Sequence, residues 1–278
     1  HCYLMFPYIM EVCIKQIQLL YYQYYYLLIL NLKLQEFNMK KKILIFGGTG
    51  AIGFSIAKNL KSQGYNPIII ARNEEDLINK SKEIDCLYEI CDVLETNQIE
   101  EISKKHQEDV VGLAYCVGSI NLRPLKITKD EDFLDSFKIN TLGAINSIKM
   151  NLPSLTSNNG SILLFSTIAV QQGFTNHSIV SSSKGAIEGL TLSLAAEFAP
   201  KIKVNCIAPS LTDSKMSQKM ISNETIKKAI ENMHPIPKIG NGEDFGDLAS
   251  FLLGEKNNWI TGQIFHIDGG RSTLRIKA

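Results

Sequence analysis

The stretch Gly47-Gly48-Thr49-Gly50-Ala51-Ile52-Gly53 has the make-up of a phosphate cradle. Glycines let an anion approach the main chain, and a helix opening beyond them aims unpaired N–H groups at it. Small residues also serve tight packing turns, so context decides. An apolar run, Ile43-Leu-Ile-Phe46, precedes the loop, and a helical pattern to Leu60 follows it. Strand, glycine turn and helix together point to a dinucleotide held by Gly47, Thr49, Ile52 and Gly53. An acidic residue after the second strand would take a ribose 2′-hydroxyl, whereas an arginine accommodates a 2′-phosphate. Here Pro67-Ile-Ile-Ile-Ala71 runs into Arg72 and Asn73, with no Asp or Glu at 71 or 72. Arg72 can fork onto a phosphate or stack on adenine, so NADP(H) is expected rather than NAD.

The elements that must position these groups alternate along the chain. Short apolar runs at 43–46, 67–71, 86–90, 110–117, 161–165, 202–207 and 263–267 read as strands buried on both faces. Helical patterns separate them, including long ones at 130–152, stopped by Pro153, and 178–198, ended by Pro200. Ser178 reads as the N-cap of the second. Such alternation predicts a three-layer α/β fold, doubly wound around a mostly parallel seven-stranded sheet. The segment 210–235 carries Met216, Met220, Ile221 and Met233 and is expected to cover the pocket as a lid for a partly apolar substrate.

Several landmarks resemble the short-chain dehydrogenase/reductase family over nearly all of Met39–Gly270, and with it the Rossmann fold. They are the glycine loop, Cys91-Asp92-Val93, Ile139-Asn140-Thr141-Leu142-Gly143, Ser182-Ser183-Lys184-Gly185-Ala186, Val204-Asn205-Cys206-Ile207-Ala208-Pro209, Trp259-Ile260-Thr261-Gly262-Gln263 and Asp268-Gly269-Gly270. The resemblance implies an oxidoreductase acting on a carbonyl or alcohol. It places Asp92 and Val93 at the adenine, Gly118 at the cofactor floor, and Thr212 and Ser214 at the nicotinamide carboxamide. Lys184 would hold the nicotinamide ribose, Thr167 would polarise the carbonyl with Ser166 as runner-up, and Asn140 would support the lysine. It also implies a homodimer or homotetramer formed through the two long helices.

The sequence departs from the family at the proton donor. The family's tyrosine lies four residues before the lysine, where this chain has Val180. Valine cannot exchange protons. On a helix, residues seven apart share a face, which brings His177 within two turns of Lys184. An imidazole titrates near neutral pH, so His177 is the candidate acid/base, weighed against a plain helix-start residue. Tyr115-Cys116-Val117-Gly118 stands where the family has Asn-Asn-Ala-Gly, a second departure at the floor of the cofactor site. The competing reading is an NAD(P)-binding protein of this fold without turnover, regulatory in role; a lyase or isomerase on the same scaffold ranks lower.

Composition agrees with a globular enzyme. Lys+Arg 29 against Asp+Glu 28 leaves a net charge of +1, which gives no electrostatic footprint for nucleic acid. The six cysteines form no C-x-x-C pair, so no metal site or disulfide framework is suggested and a reduced, cytoplasmic setting fits. Cys86, Cys91, Cys116 and Cys206 read as small hydrophobes, His106 and His234 as exposed, and His266 as a strand residue. Residues 1–38 differ from the rest. Tyr3, Tyr8, Tyr21, Tyr22, Tyr24, Tyr25 and Tyr26 crowd into them, and the uncharged run from Gln16 to Leu32 is borderline for a membrane span. They are expected to lie outside the functional domain, with a membrane-associating leader as the alternative; 39–278 is the expected single catalytic domain, with no membrane contact for the core.

Overall fold

The computed structural model describes residues 14–28 and 41–275. The chain divides into two units between Lys40 and Lys41. In the first, 14–28 form a solvent-exposed helix; the remainder of the 1–38 expectation lies outside the described residues. Among the described residues, no helix is long and apolar enough to cross a membrane.

The second unit is built on seven strands: β1 (Lys42–Phe46), β2 (Asn66–Ala71), β3 (Leu87–Ile90), β4 (Val110–Tyr115), β5 (Ser161–Phe165), β6 (Lys203–Pro209) and β7 (Ile264–Ile267). They lie in the order β3-β2-β1-β4-β5-β6-β7, and every neighbouring pair is parallel. Both faces are covered, as the strand sequences require. On β1, Ile43 and Ile45 enter one core cluster while Leu44 and Phe46 enter the other. The order reverses between β1 and β4, which opens a crevice at the carboxyl ends of these strands.

The α-helices of this unit are α1 (Ala51–Ser62), α2 (Glu74–Ile84), α3 (Thr96–His106), α4 (Asp130–Phe137), α5 (Gly143–Ser157), α6 (Ser178–Phe198), α7 (Gln218–Ile221), α8 (Glu224–Glu231) and α9 (Glu243–Leu253). The long helix expected at 130–152 is two helices joined by a π-helical turn, Lys138–Leu142. Pro153 does not stop it; the helix continues to Ser157. Leu155 beyond the proline is fully buried in the core, and Ser103 Oγ donates to the Met150 carbonyl at 2.6 Å. The burial of Leu155 thus outweighs the main-chain bond that proline removes.

Candidate active site

The glycine loop is shaped by close approaches. Gly47 sits at φ +79°, and a Cβ there would lie 2.9 Å from the main chain of Cys116 and Val117. A Cβ on Gly53 would lie 2.5 Å from the Gly47 carbonyl oxygen. Gly50 caps α1 without any side chain, so the first N–H groups of the helix face the crevice. The loop therefore fits a ligand phosphate, on geometry that side chains would destroy.

That crevice is a cleft of about 1390 Å³. Gly47, Thr49, Ile52, Gly53, Arg72, Asp92, Val93, Gly118, Thr167, His177, Lys184, Thr212 and Ser214 all line it. Arg72 extends largely into solvent, with its Nη1 3.7 Å from Asp92 Oδ2. Asp92 also accepts the Leu94 N–H at 3.0 Å, which shapes the turn beneath Arg72. Across the mouth, Lys215 pairs with Asp76 at 2.7 Å.

Lys184 is buried, and its Nζ donates to the Phe165 carbonyl at 2.8 Å. Burial lowers its pKa to about 8, with the Cys206 and Cys116 thiols opposing the shift. Asn140 does not line the cleft. It is fully buried in the π-turn, where its Nδ2 donates to Ser136 O at 2.9 Å and Ser119 Oγ at 3.1 Å. Its Oδ1 accepts the Ser119 N–H at 3.2 Å. A Cβ on Gly118 would lie 3.0 Å from Asn140 Oδ1 and 3.4 Å from Lys184 Nζ, so the amide and the ammonium converge on this glycine.

The hydroxyl pair after β5 has divided roles. Ser166 Oγ donates to the buried Glu188 carboxylate at 2.7 Å. Thr167 caps a 3-10 turn and only accepts, from Ala169 N–H at 3.3 Å, so its proton stays available to the cleft. Val180 is buried and lines the same cleft. The capping residue of α6 is His177 rather than Ser178, whose hydroxyl is buried without a partner. His177 Nδ1 meets the Thr175 carbonyl at 2.7 Å, and its ring edges against Phe174. A carbonyl only accepts, so the proton sits on Nδ1 and Nε2 carries the lone pair.

Tyr115 is not at the cofactor floor. It points into the core beside Phe46, and its phenol donates to the Ile139 carbonyl at 2.6 Å. Burial pushes its pKa upward. His106 and His234 are buried rather than exposed. His106 Nε2 meets Glu89 at 2.7 Å. His234 Nδ1 meets Ile230 O at 2.8 Å, and its Nε2 meets Ser210 Oγ at 2.8 Å. Ser210 and Arg271 both line the cleft, and Arg271 Nη1 reaches Ser210 Oγ at 3.5 Å. Neither the Ser210–His234 pair nor Arg271 stood out in the sequence: their partners are distant along the chain. The cysteine expectation agrees with the structure. Cys86, Cys91, Cys116 and Cys206 are free, and burial holds their thiols high, at about 11 or about 12. Of the lid methionines, Met216 and Met220 line the cleft, Ile221 is buried, and Met233 is exposed.

A doubly wound sheet with a glycine cradle at its switch point and a buried lysine beside it defines a nucleotide-dependent oxidoreductase scaffold. The family model described as Enoyl-(Acyl carrier protein) reductase matches residues 48–272. The 3-oxoacyl-(acyl-carrier-protein) reductase FabG of Rickettsia conorii is 32% identical over 236 residues, covering 83% of this chain and 96% of that protein. The 3-oxoacyl-(acyl-carrier-protein) reductase of Bos taurus is 29% identical over 239 residues, covering 84% and 98%. A solved structure of ElxO with NADP bound is 31% identical, with TM-score 0.78, covering 84% of this chain and 100% of that one. The chain belongs to the short-chain dehydrogenase/reductase family.

Proposed function

We propose that this protein is an NADP(H)-dependent oxidoreductase acting on a carbonyl or alcohol, with a proton route that does not use a phenol. The observation that carries the reading is the convergence of the glycine cradle, Arg72, Lys184 and Thr167 on one cleft. Bound there, the coenzyme would supply or accept the hydride. The ElxO structure with NADP bound supports the choice of coenzyme. Gly47, Thr49, Ile52 and Gly53 would take the pyrophosphate, Arg72 the 2′-phosphate, and Asp92 and Val93 the adenine. Gly118, Thr212 and Ser214 would bound the nicotinamide end.

Thr167 donates its free hydroxyl proton to the substrate oxygen and orients it. Lys184 holds the ribose and adds positive charge near the site, supported by Asn140 through the wall at Gly118. Val180 stands at the position of the family's tyrosine, and His177, on the same helix start, moves the proton from Nε2 once that nitrogen has been charged. A second reading of the proton route is favoured by one contact: Ser210 faces the cleft and is hydrogen-bonded to His234 at 2.8 Å. Residues 1–38 lie outside this catalytic unit.

NADPH consumption over ketones, aldehydes and quinones tests the activity. Coenzyme binding without turnover on any of them would establish the non-catalytic, regulatory reading instead. Loss of a general acid typically costs about 10²–10⁴-fold in rate. His177→Ala is expected to show such a loss; a loss with His234→Asn and not with His177→Ala would transfer the role to the Ser210 pair.

A further inference from the structure

Arg271 is the one guanidinium at the β6–β7 side of the cleft among the described residues. It lies beyond β7, whereas Arg72 follows β2 on the other side of the switch point. Five strand spacings separate β2 from β7, roughly 24 Å at about 4.8 Å each. Arg271 therefore serves a different anion from any bound by Arg72.

Its own contacts leave the charge poorly matched. A guanidinium has about five N–H donors. Nη1 reaches Ser210 Oγ at a long 3.5 Å, and Nη2 meets only the weakly accepting Met233 Sδ, at 3.5 Å. The group lies over the Phe174 ring, 4.8 Å from its centroid. Among the described residues no carboxylate forms an ion pair with it. Asp268 is the acid that influences it, and its oxygens are taken by the Gly270 and Ser272 N–H groups at 2.9 and 2.8 Å. Partial burial also lowers the Arg271 pKa. The carboxylates lining the cleft, Asp76 and Asp92, stand on the Arg72 side, where Lys215 and Arg72 face them. A half-buried cation with no carboxylate at ion-pair distance is costly to maintain, and a ligand that supplies a direct anionic contact recovers part of that cost.

We propose that Arg271 anchors an anionic group of the substrate, a carboxylate or a phosphate. The neighbouring Phe174, Met216, Met220 and Ile230 line the same cleft and would take an apolar chain. The substrate class is thus an amphiphilic oxo or hydroxy compound with an acidic head. The inference rests on the oxidoreductase reading for the word substrate, but the anion site can be measured without turnover.

The test is calorimetric titration of the NADP-loaded full chain with hexanoate, hexyl phosphate and hexan-1-ol. Either anion is expected to bind at least about tenfold more tightly than the alcohol, given the usual strength of hydrogen bonds to charged groups. The tighter of the two anions identifies the head group. Arg271→Leu is expected to erase the preference and Arg271→Lys to retain part of it, with the thermal midpoint and NADP affinity as checks on folding. Equal binding of alcohol and anions, or an anion preference that survives Arg271→Leu, would overturn the proposal. If NADP itself gives no heat, the oxidoreductase reading fails, and the same titrations on the coenzyme-free chain still decide the anion site. Tight anion binding with no NADPH consumption would likewise leave Arg271 in place and remove the catalytic reading.

Discussion

Burying the Lys184 ammonium next to a carbonyl and two thiols costs free energy that depends on pH. Its folded pKa, about 8, lies below the ordinary 10.5. Between those values the unfolded chain holds a proton that the folded chain has released. Stability of the coenzyme-free protein should therefore rise with pH across that window, and the protonated form should be penalised below it. The full effect of one such group is about 3 kcal/mol, at 1.36 kcal/mol per pKa unit as an order of magnitude. Urea unfolding at pH 7.5 and pH 9.5 is expected to show the rise in the native chain and to lose most of it in Lys184→Met. The proposed role of Arg72 in coenzyme choice is tested at the same scale. Arg72→Ala should weaken NADP binding by about tenfold or more while leaving NAD affinity nearly unchanged, because only the 2′-phosphate loses a charge-assisted bond. Parallel calorimetric titrations with the two dinucleotides check this, and equal losses for both would remove Arg72 from the phosphate.

At the scale of the element, the π-turn of Lys138–Leu142 explains a substitution that the sequence alone made puzzling. Tyr115 lies on β4, where the resemblance implied an asparagine, and its phenol donates to the Ile139 carbonyl. Gly143 supplies the space: a Cβ there would lie 2.1 Å from the Tyr115 hydroxyl oxygen. Gly143→Ala should lower the thermal midpoint strongly. Tyr115→Phe, which removes the clashing oxygen, should itself cost about 1–2 kcal/mol for the unpaired carbonyl. Placed together, the two changes should be less damaging than their sum, and a denaturant-based double-mutant cycle measures that coupling. Strands, the glycine loop and the lysine helix were legible in the sequence because each is encoded locally, by a continuous apolar run, by glycine spacing or by neighbours on one helix. The π-turn was not, since what holds it includes a contact from Tyr115, 24 residues from Ile139 in the chain. The burial of His106 and His234 was equally hidden: their partners, Glu89 and Ser210, lie 17 and 24 residues away. Arg271 and Ser210 meet across 61 residues, a separation no local pattern encodes.

At the scale of the whole molecule, α6 carries Gly185 and Gly189 one turn apart. A Cβ on Gly189 would meet nothing within 4 Å, and one on Gly185 would meet only Val170, at 3.7 Å. These glycines are therefore not explained by packing inside the chain. Leu192 continues the same face at 53% exposure, and Leu134 on the neighbouring α4 is 57% exposed. Small residues that permit close helix approach, flanked by exposed leucines, suit a second copy of this face and agree with the homodimer or homotetramer proposed from the family. Gly189→Arg tests this cleanly. The chain itself has room for the side chain, and arginine favours helix over glycine by about 1 kcal/mol. The expected outcome is a smaller species in sedimentation velocity with far-UV circular dichroism unchanged. If the association state of Gly189→Arg matches that of the native chain, α6 is not the interface, and the two glycines lose their explanation.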